Sequence, residues 1–338
     1  MKLAIVLFNL GGPDSLQAVE PFLRNLFSDP AILAVPSFVR QPLAWFIARR
    51  RALIAREIYA KIGGRSPILE ETLAQARALE LVLDEHQTRA FVAMRCWKPF
   101  SDEAARAIKD WSPDHIVLLP LYPQFSTTTT GSSLTDWLRA AAAAGITAPQ
   151  TRVCCYPRLH GFIEALAGLI RETMAKAHPE ISYRLLLSAH GLPERIVAKG
   201  DPYQWQVEQT AAALVERLGI SGLDWTVCYQ SRVGPLKWIG PATDAEIRRA
   251  GADGKGAIVV PISFVSEHSE TLVELDMEYG KLARQAGVRD YLRVPTVGTR
   301  AEFISGLAEL VRQSLAQPQM GSGRLCPAVH GACLYGRD

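Results

Sequence analysis

A chain of 338 residues with 37 basic and 34 acidic side chains, a formal net charge of +3 and 48% hydrophobic residues can build one large domain or two ordinary ones. The near balance of charge, with no long basic or acidic run, excludes a dedicated nucleic-acid binder. Residues 1–8 are too short for a secretory leader and fit a first strand, and no stretch is long and apolar enough for a membrane span, so the expected location is the cytoplasm, with the six cysteines as thiols or metal ligands rather than disulfides.

Strand candidates recur at residues 3–8, 88–94, 115–119, 151–155, 184–187, 225–229, 257–260 and 291–294, with helical patterns at 70–83, 102–111, 134–144, 161–175, 204–218, 244–250, 271–286 and 301–315. This alternation predicts an α/β protein whose parallel sheets are flanked by helices. The two halves also echo each other. Residues 3–13 and 184–193 are both strands that break at a glycine and a proline, and 115–126 resembles 257–266. Two similar domains facing one cleft are therefore expected: 1–148, then 149–300, with a helix over 301–318 crossing back to the first and a cysteine-containing tail over 319–338.

Early in the first half, residues 31–48 are heavily apolar, interrupted by Pro36 and Pro42 and closed by Arg49, Arg50 and Arg51. Such a segment suits a lip over 31–51 that touches membrane or receives a flat hydrophobic ligand; a buried helical hairpin has the same composition. The hydroxyl run from Ser126 to Ser133 has two readings as well: donors to an anionic group at a helix N-terminus, or caps for the helix that follows.

In the second half, the strand at 257–260 delivers the chain into a loop holding His268, followed by a helix whose start is marked by Ser269 and by Thr271 and Glu274 at capping-box spacing. On an α-helix Glu270, Glu274 and Glu278 form one row, about 5.4 Å apart, with Leu272, Leu275, Met277 and Tyr279 on an apolar face. The row is either a solvated acidic face or, with His268 beside it in a strand-to-helix loop, machinery for protons or a divalent cation. His190 ends another apolar strand, where a packed histidine and a catalytic one look alike. Gly11-Gly12 lacks dinucleotide spacing, and neither a phosphate-loop motif nor a hydrolase elbow occurs. Cys326 and Cys333, with His330 or the Cys154-Cys155 pair, could hold an iron–sulfur cluster or zinc, or belong to a frayed tail.

Taken together, Asn9-Leu-Gly-Gly-Pro13, Tyr122-Pro-Gln-Phe-Ser126, Ser188-Ala-His-Gly-Leu-Pro193, Gly200-Asp-Pro-Tyr203, Gln230-Ser-Arg-Val-Gly-Pro235 and His268-Ser-Glu-Thr-Leu-Val-Glu-Leu-Asp276 resemble the ferrochelatase family, bacterial type, over nearly the whole chain. The resemblance implies two Rossmann-like, chelatase-like domains around a porphyrin cleft, and a lyase that inserts Fe2+ into protoporphyrin IX. It implies His190 facing the macrocycle with Glu270 opposite, both as catalytic groups and metal contacts. His268 and Glu274 would assist them, and Glu274 and Glu278 would continue a proton or metal path. Arg51, Tyr59 and Ser66 fall where the family contacts propionates, Arg95, Trp238 and Phe264 match pocket positions, and residues 31–47 look like its membrane-facing lip. The expected partners are the porphyrin, Fe2+, the inner-membrane surface and a second copy in a homodimer.

Metallation needs an acceptor for two pyrrole protons and a place for a dication, which a histidine and a carboxylate relay supply without a further cofactor. A [2Fe–2S] cluster is the exception. Cluster-bearing relatives carry a cysteine where Thr127 stands and three near the C-terminus, so here the candidate ligands are Cys326, Cys333, Cys154 and Cys155. Cys96 stands where relatives often have an aromatic residue. A cobalt or nickel chelatase, a coproporphyrin-using enzyme and a non-catalytic haem or metal carrier are the alternatives.

Overall fold

The computed structural model describes residues 1–232, 234, 236–316 and 324–335; Val233 and Pro235 of the quoted motif, and residues 319–323 and 336–338 of the expected tail, lie outside them. The chain divides into two compact units. The first comprises Met1–Cys155 and the last helix from Leu307, and the second comprises Tyr156–Gly306 and the tail from Cys326.

In the first unit, β1 (Lys2–Asn9), β2 (Gln87–Met94), β3 (His115–Pro120) and β4 (Gln150–Arg152) form a parallel sheet in the order β2-β1-β3-β4. The register runs Leu3 opposite Thr88 on one side and His115 on the other. From Leu3 to Phe8 every side chain of β1 is fully buried, as a strand covered on both faces requires. The helices α1 (Val19–Ser28), α2 (Ser37–Ala60), α3 (Ile68–Val82), α4 (Ser101–Trp111) and α5 (Thr130–Ala143) supply that cover. Two of them, α1 and α2, precede β2 where the strand–helix alternation gave no separate helix.

The second unit repeats the plan. β5 (Tyr183–His190), β6 (Trp225–Gln230), β7 (Gly256–Pro261) and β8 (Tyr291–Arg293) form a parallel sheet in the order β6-β5-β7-β8, the same topology as the first. Around it lie α6 (His160–Met174), the short α7 (Glu194–Val197), α8 (Tyr203–Leu218), α9 (Thr243–Ala252), a π-helix (Glu270–Glu278), α10 (Tyr279–Gln285) and the first turns of α11 (Ala301–Ala316). Leu186, Cys228, Ile247, Val259 and Leu275 pack into one core beneath α9 and the π-helix.

Two local expectations are corrected. The α-helix expected over 271–286 is a π-helix as far as Glu278, so Thr271, Val273 and Leu275 face the core while Met277 is exposed. The capping box also fails. Thr271 Oγ1 exchanges hydrogen bonds with the backbone of His268, and the Glu274 carboxylate is engaged elsewhere. In the first half, the apolar segment is no buried hairpin. The single helix α2 buries a stripe of Ala44, Ala48 and Ala52 and leaves Phe38, Trp45, Phe46, Leu53 and Ile54 exposed. Pro42 lies inside this helix, as its sixth residue, and forgoes one intrahelical backbone bond.

Within the second unit α6 and α11 meet at two glycines. A side chain at Gly161 would collide with the Glu302 carbonyl and come 3.0 Å from the Gly306 Cα. Gly161→Ala is therefore expected to force the helices apart and cost about 1–3 kcal/mol, read as a lower denaturant midpoint with an unchanged slope.

Candidate active site

In the second sheet the chain leaves β5 on one side to form β6 and returns on the other to form β7. The carboxyl ends of β5 and β7 thus flank the switch point of the strand order, where α/β sheets hold ligands. His190 is the last residue of β5, and the loop after β7 carries Ser263, Phe264 and His268 into the π-helix.

One carboxylate lies between two imidazoles. Glu270 Oε1 is 3.5 Å from His190 Nε2, and its Oε2 is 3.5 Å from His268 Nε2. Each ring is tied through its other nitrogen to a backbone carbonyl: His190 Nδ1 to Gly191 O at 2.6 Å, and His268 Nδ1 to Ser266 O at 3.1 Å. A carbonyl only accepts, so both Nδ1 atoms carry hydrogen, and in the neutral rings both Nε2 atoms present a lone pair towards Glu270. The His190 side chain is 41% exposed, so an incoming group can reach that nitrogen, whereas His268 is 13% exposed and covered by the Phe264 ring at 4.7 Å.

Charge is unevenly distributed along the π-helix. The crowded surroundings of His190 disfavour its charged form, but the Glu270 carboxylate outweighs them and holds the imidazole up at about 9. Desolvation would raise Glu270, yet His190 and His268 together hold it far below the usual carboxylate range. Glu274, one step further, is raised by its burial and by the charge of Glu270. Its Oε2 accepts from Ser231 Oγ at 2.5 Å and Gln230 Nε2 at 3.2 Å, and its Oε1 accepts from the Ser231 amide at 2.8 Å and the Tyr279 hydroxyl at 3.1 Å. Two neighbouring carboxyls with opposite shifts divide the work of holding charge and of taking up a proton. Glu278, the third of the expected row, is exposed at the end of the π-helix.

The frame around His190 is tight. Tyr203 donates to the His190 carbonyl at 3.0 Å and to Ser263 Oγ at 3.3 Å. Beside it Gly191 has no room for a side chain, since a Cβ would sit 2.9 Å from Gln230 O and 3.2 Å from the Trp238 ring. Trp238 is thereby packed against the turn that follows His190, and its own backbone forms an isolated antiparallel bridge with Pro193.

The remaining expected residues, the tail cysteines Cys326 and Cys333 apart, lie in the first unit. Arg95 is paired with Asp29 at 3.0 Å and donates to Ser132 Oγ at 2.7 Å, and Ser132 in turn bonds Asp29. Of the hydroxyl run, then, Ser132 serves this ion pair, and the residue capping α5 makes no side-chain bond to the helix. Tyr59 and Cys96 are buried in the cluster that joins α1 and α2, Ser66 is buried at the start of α3, and Arg51 is exposed with its guanidinium 5.7 Å from the Phe27 ring. Cys154, Cys155, Cys326 and Cys333 are all buried, Cys326 Sγ receiving a bond from Gln206 Nε2 at 3.0 Å. Sequence reasoning missed the parts played by Ser231, Tyr203 and Tyr279. Ser231 has a left-handed backbone, φ 59°, which no residue type announces.

The family model described as Ferrochelatase matches residues 2–315. A relative named Ferrochelatase from Phenylobacterium zucineum is 55% identical over 339 residues, covering 98% of each chain, and one from Caulobacter vibrioides strain NA1000 is 56% identical, covering 94% of this chain and 91% of its own. Among solved structures, the sirohydrochlorin chelatase SirB of Bacillus subtilis subspecies spizizenii, in complex with cobalt, superposes with a TM-score of 0.56 at 12% identity, covering 94% of this chain and 97% of that one; at that identity it shows the fold alone. With the family model spanning both sheets, and relatives this similar along nearly their full length, the chain belongs to the ferrochelatase family.

Proposed function

We propose that this chain inserts Fe2+ into protoporphyrin IX, releasing two protons, and that the His190–Glu270–His268 group does the chemistry. The carboxylate held between two Nε2 atoms is the observation that carries this reading. Metallation replaces two pyrrole N–H bonds with bonds to iron, so two protons must leave while the dication sheds water. His190 Nε2, accessible and fixed in orientation by Gly191, takes a pyrrole proton when neutral. Glu270, kept ionised by its two histidines, attracts the substrate cation, and Glu274 with its raised affinity for protons receives one from the path behind it, with Glu278 at the solvent end. Trp238, Phe264, Arg95, Arg51, Tyr59 and Ser66 are the proposed porphyrin contacts; those in the first unit would serve its edge and carboxylates.

Two finer elements belong to this reading. The exposed apolar face of α2, with Arg49 and Arg51 beside it, supports contact with the cytoplasmic face of the inner membrane, the expected source of so hydrophobic a substrate. Among the described residues no helix is long and apolar enough to cross a membrane. A [2Fe–2S] cluster takes four cysteine ligands. Cys154, Cys155, Cys326 and Cys333 are buried, as free cysteines ordinarily are, and among the described residues no group of three or more His, Cys, Asp or Glu is arranged to hold a metal. No step of the chemistry runs through it.

Anaerobic assay with Fe2+ and protoporphyrin IX is expected to show catalytic haem formation. His190→Ala and Glu270→Gln should each lower the rate by about a hundredfold or more while porphyrin still binds by fluorescence quenching; full turnover in either removes that residue from the mechanism. Because a raised histidine is charged until the pH passes its shifted value, kcat/KM should climb with pH towards about 9. In Glu270→Gln the residual climb should move to lower pH, since the charge that raises His190 is gone. The same sign governs stability: the His190–Glu270 contribution is fully present below the ordinary imidazole value and fades as pH rises through the shifted one. Finally, Phe46→Ser with Leu53→Ser should weaken sedimentation with anionic vesicles at least about tenfold, each lost side chain being worth about 1.5–3 kcal/mol of burial. If a second copy covers this face instead, the wild type will dimerise with concentration and ignore vesicles.

A further inference from the structure

We propose that Arg293 is a positioning residue that clamps both ends of the π-helix to β8 and so sets the contacts of Glu270 and Glu274. Arg293 closes β8, and its guanidinium forks around Asp276, Nε to Oδ1 and Nη2 to Oδ2, both at 2.7 Å. Its remaining nitrogen, Nη1, donates to Glu267 Oε1 at 2.6 Å, an oxygen that also receives the Thr296 amide at 3.0 Å. The side chain is 12% exposed. Two residues earlier on the same short strand, Tyr291 donates to the Leu275 carbonyl at 2.6 Å.

Glu267 lies just before the π-helix and Asp276 near its end, so one planar cation fixes the spacing of the two. That spacing matters because i→i+5 bonding is rarely sustained, and a segment of this length released to i→i+4 bonding would turn Asp276 and Glu274 about the axis relative to Glu267. Glu274 would then leave the Ser231 amide, and Glu270 would leave the line between His190 and His268. Glu267 directly precedes His268 and bonds the Thr271 side chain, which holds the His268 backbone, so Arg293 acts on the site through this loop as well as through the helix. Lysine, a single point charge, cannot grip two carboxylates in this fork.

The consequence for turnover rests on the function proposed above; the consequence for the helix does not. Arg293→Gln and Arg293→Lys are expected to lower kcat at least about tenfold with porphyrin affinity unchanged, and to speed hydrogen exchange at the Ser231 amide as its acceptor moves away. Tyr291→Phe, a milder change, should speed the same exchange without unfolding the chain. Unchanged Ser231 exchange in Tyr291→Phe and in the folded Arg293 variants would overturn the proposal, as would full recovery of exchange protection and kcat by lysine, since charge alone would then suffice. Should the wild type fail to insert iron, the exchange measurements still decide on the clamp.

Discussion

The site depends on a carboxylate shared by two imidazoles whose outer nitrogens are committed to the backbone. Were either Nδ1 released, the ring could change tautomer or turn away, and the lone pairs at Nε2 would cease to face Glu270. Because Gly191 O and Ser266 O hold them, both rings keep their orientation towards Glu270. On the function proposed above, iron approaching Glu270 would compete for the negative charge that keeps His190 protonated, and so favour release of that proton.

Sheet and helix set this geometry at different levels. The parallel strands β5 and β7 fix where His190 and the His268 loop begin, because side chains at their carboxyl ends have no alternative register once Leu185 is paired with Trp225 and with Ile258. The π-helix then decides which way three successive acids point. Its first carboxylate meets histidines, its second meets Ser231, Gln230 and Tyr279, and its third stands on an exposed residue at the helix end. A row drawn on a regular α-helix has no such division, which explains how one short segment can hold a fixed charge and a protonatable group side by side.

Much of this was legible in the sequence and some could not be. Strands announce themselves through continuous apolar runs, and β1, β3 and β7 fall within a residue of their expected limits because strands buried on both faces tolerate little else, while β5 runs three residues past its expected end to His190. The His190 and His268 loops stood out because polar residues directly after such runs are unusual. The π-helix was not legible, since its sequence has ordinary helical spacing and what widens its turns lies in tertiary contacts with β8 and Ser231. Helices α1 and α2 escaped for the opposite reason: an apolar face left bare on α2 breaks the in–out pattern by which helices are read, and alanines, not large side chains, form its buried stripe. Arg95 shows the limit of resemblance, for nothing in its motif tells that Asp29 and Ser132 already hold it.

The two units share a strand order, so each position in one sheet has a counterpart in the other. The counterpart of His190, last residue of the central strand β5, is Asn9, last residue of β1. Asn9 is buried, gives its amide to Thr72 Oγ1 at 3.0 Å and accepts from the Leu10 amide at 2.8 Å. An amide neither gains nor loses a proton near neutrality, so the copied architecture has been divided into a half that titrates and a half that does not. Symmetry of scaffold has been kept while, at these two strand ends, symmetry of chemistry has been given up.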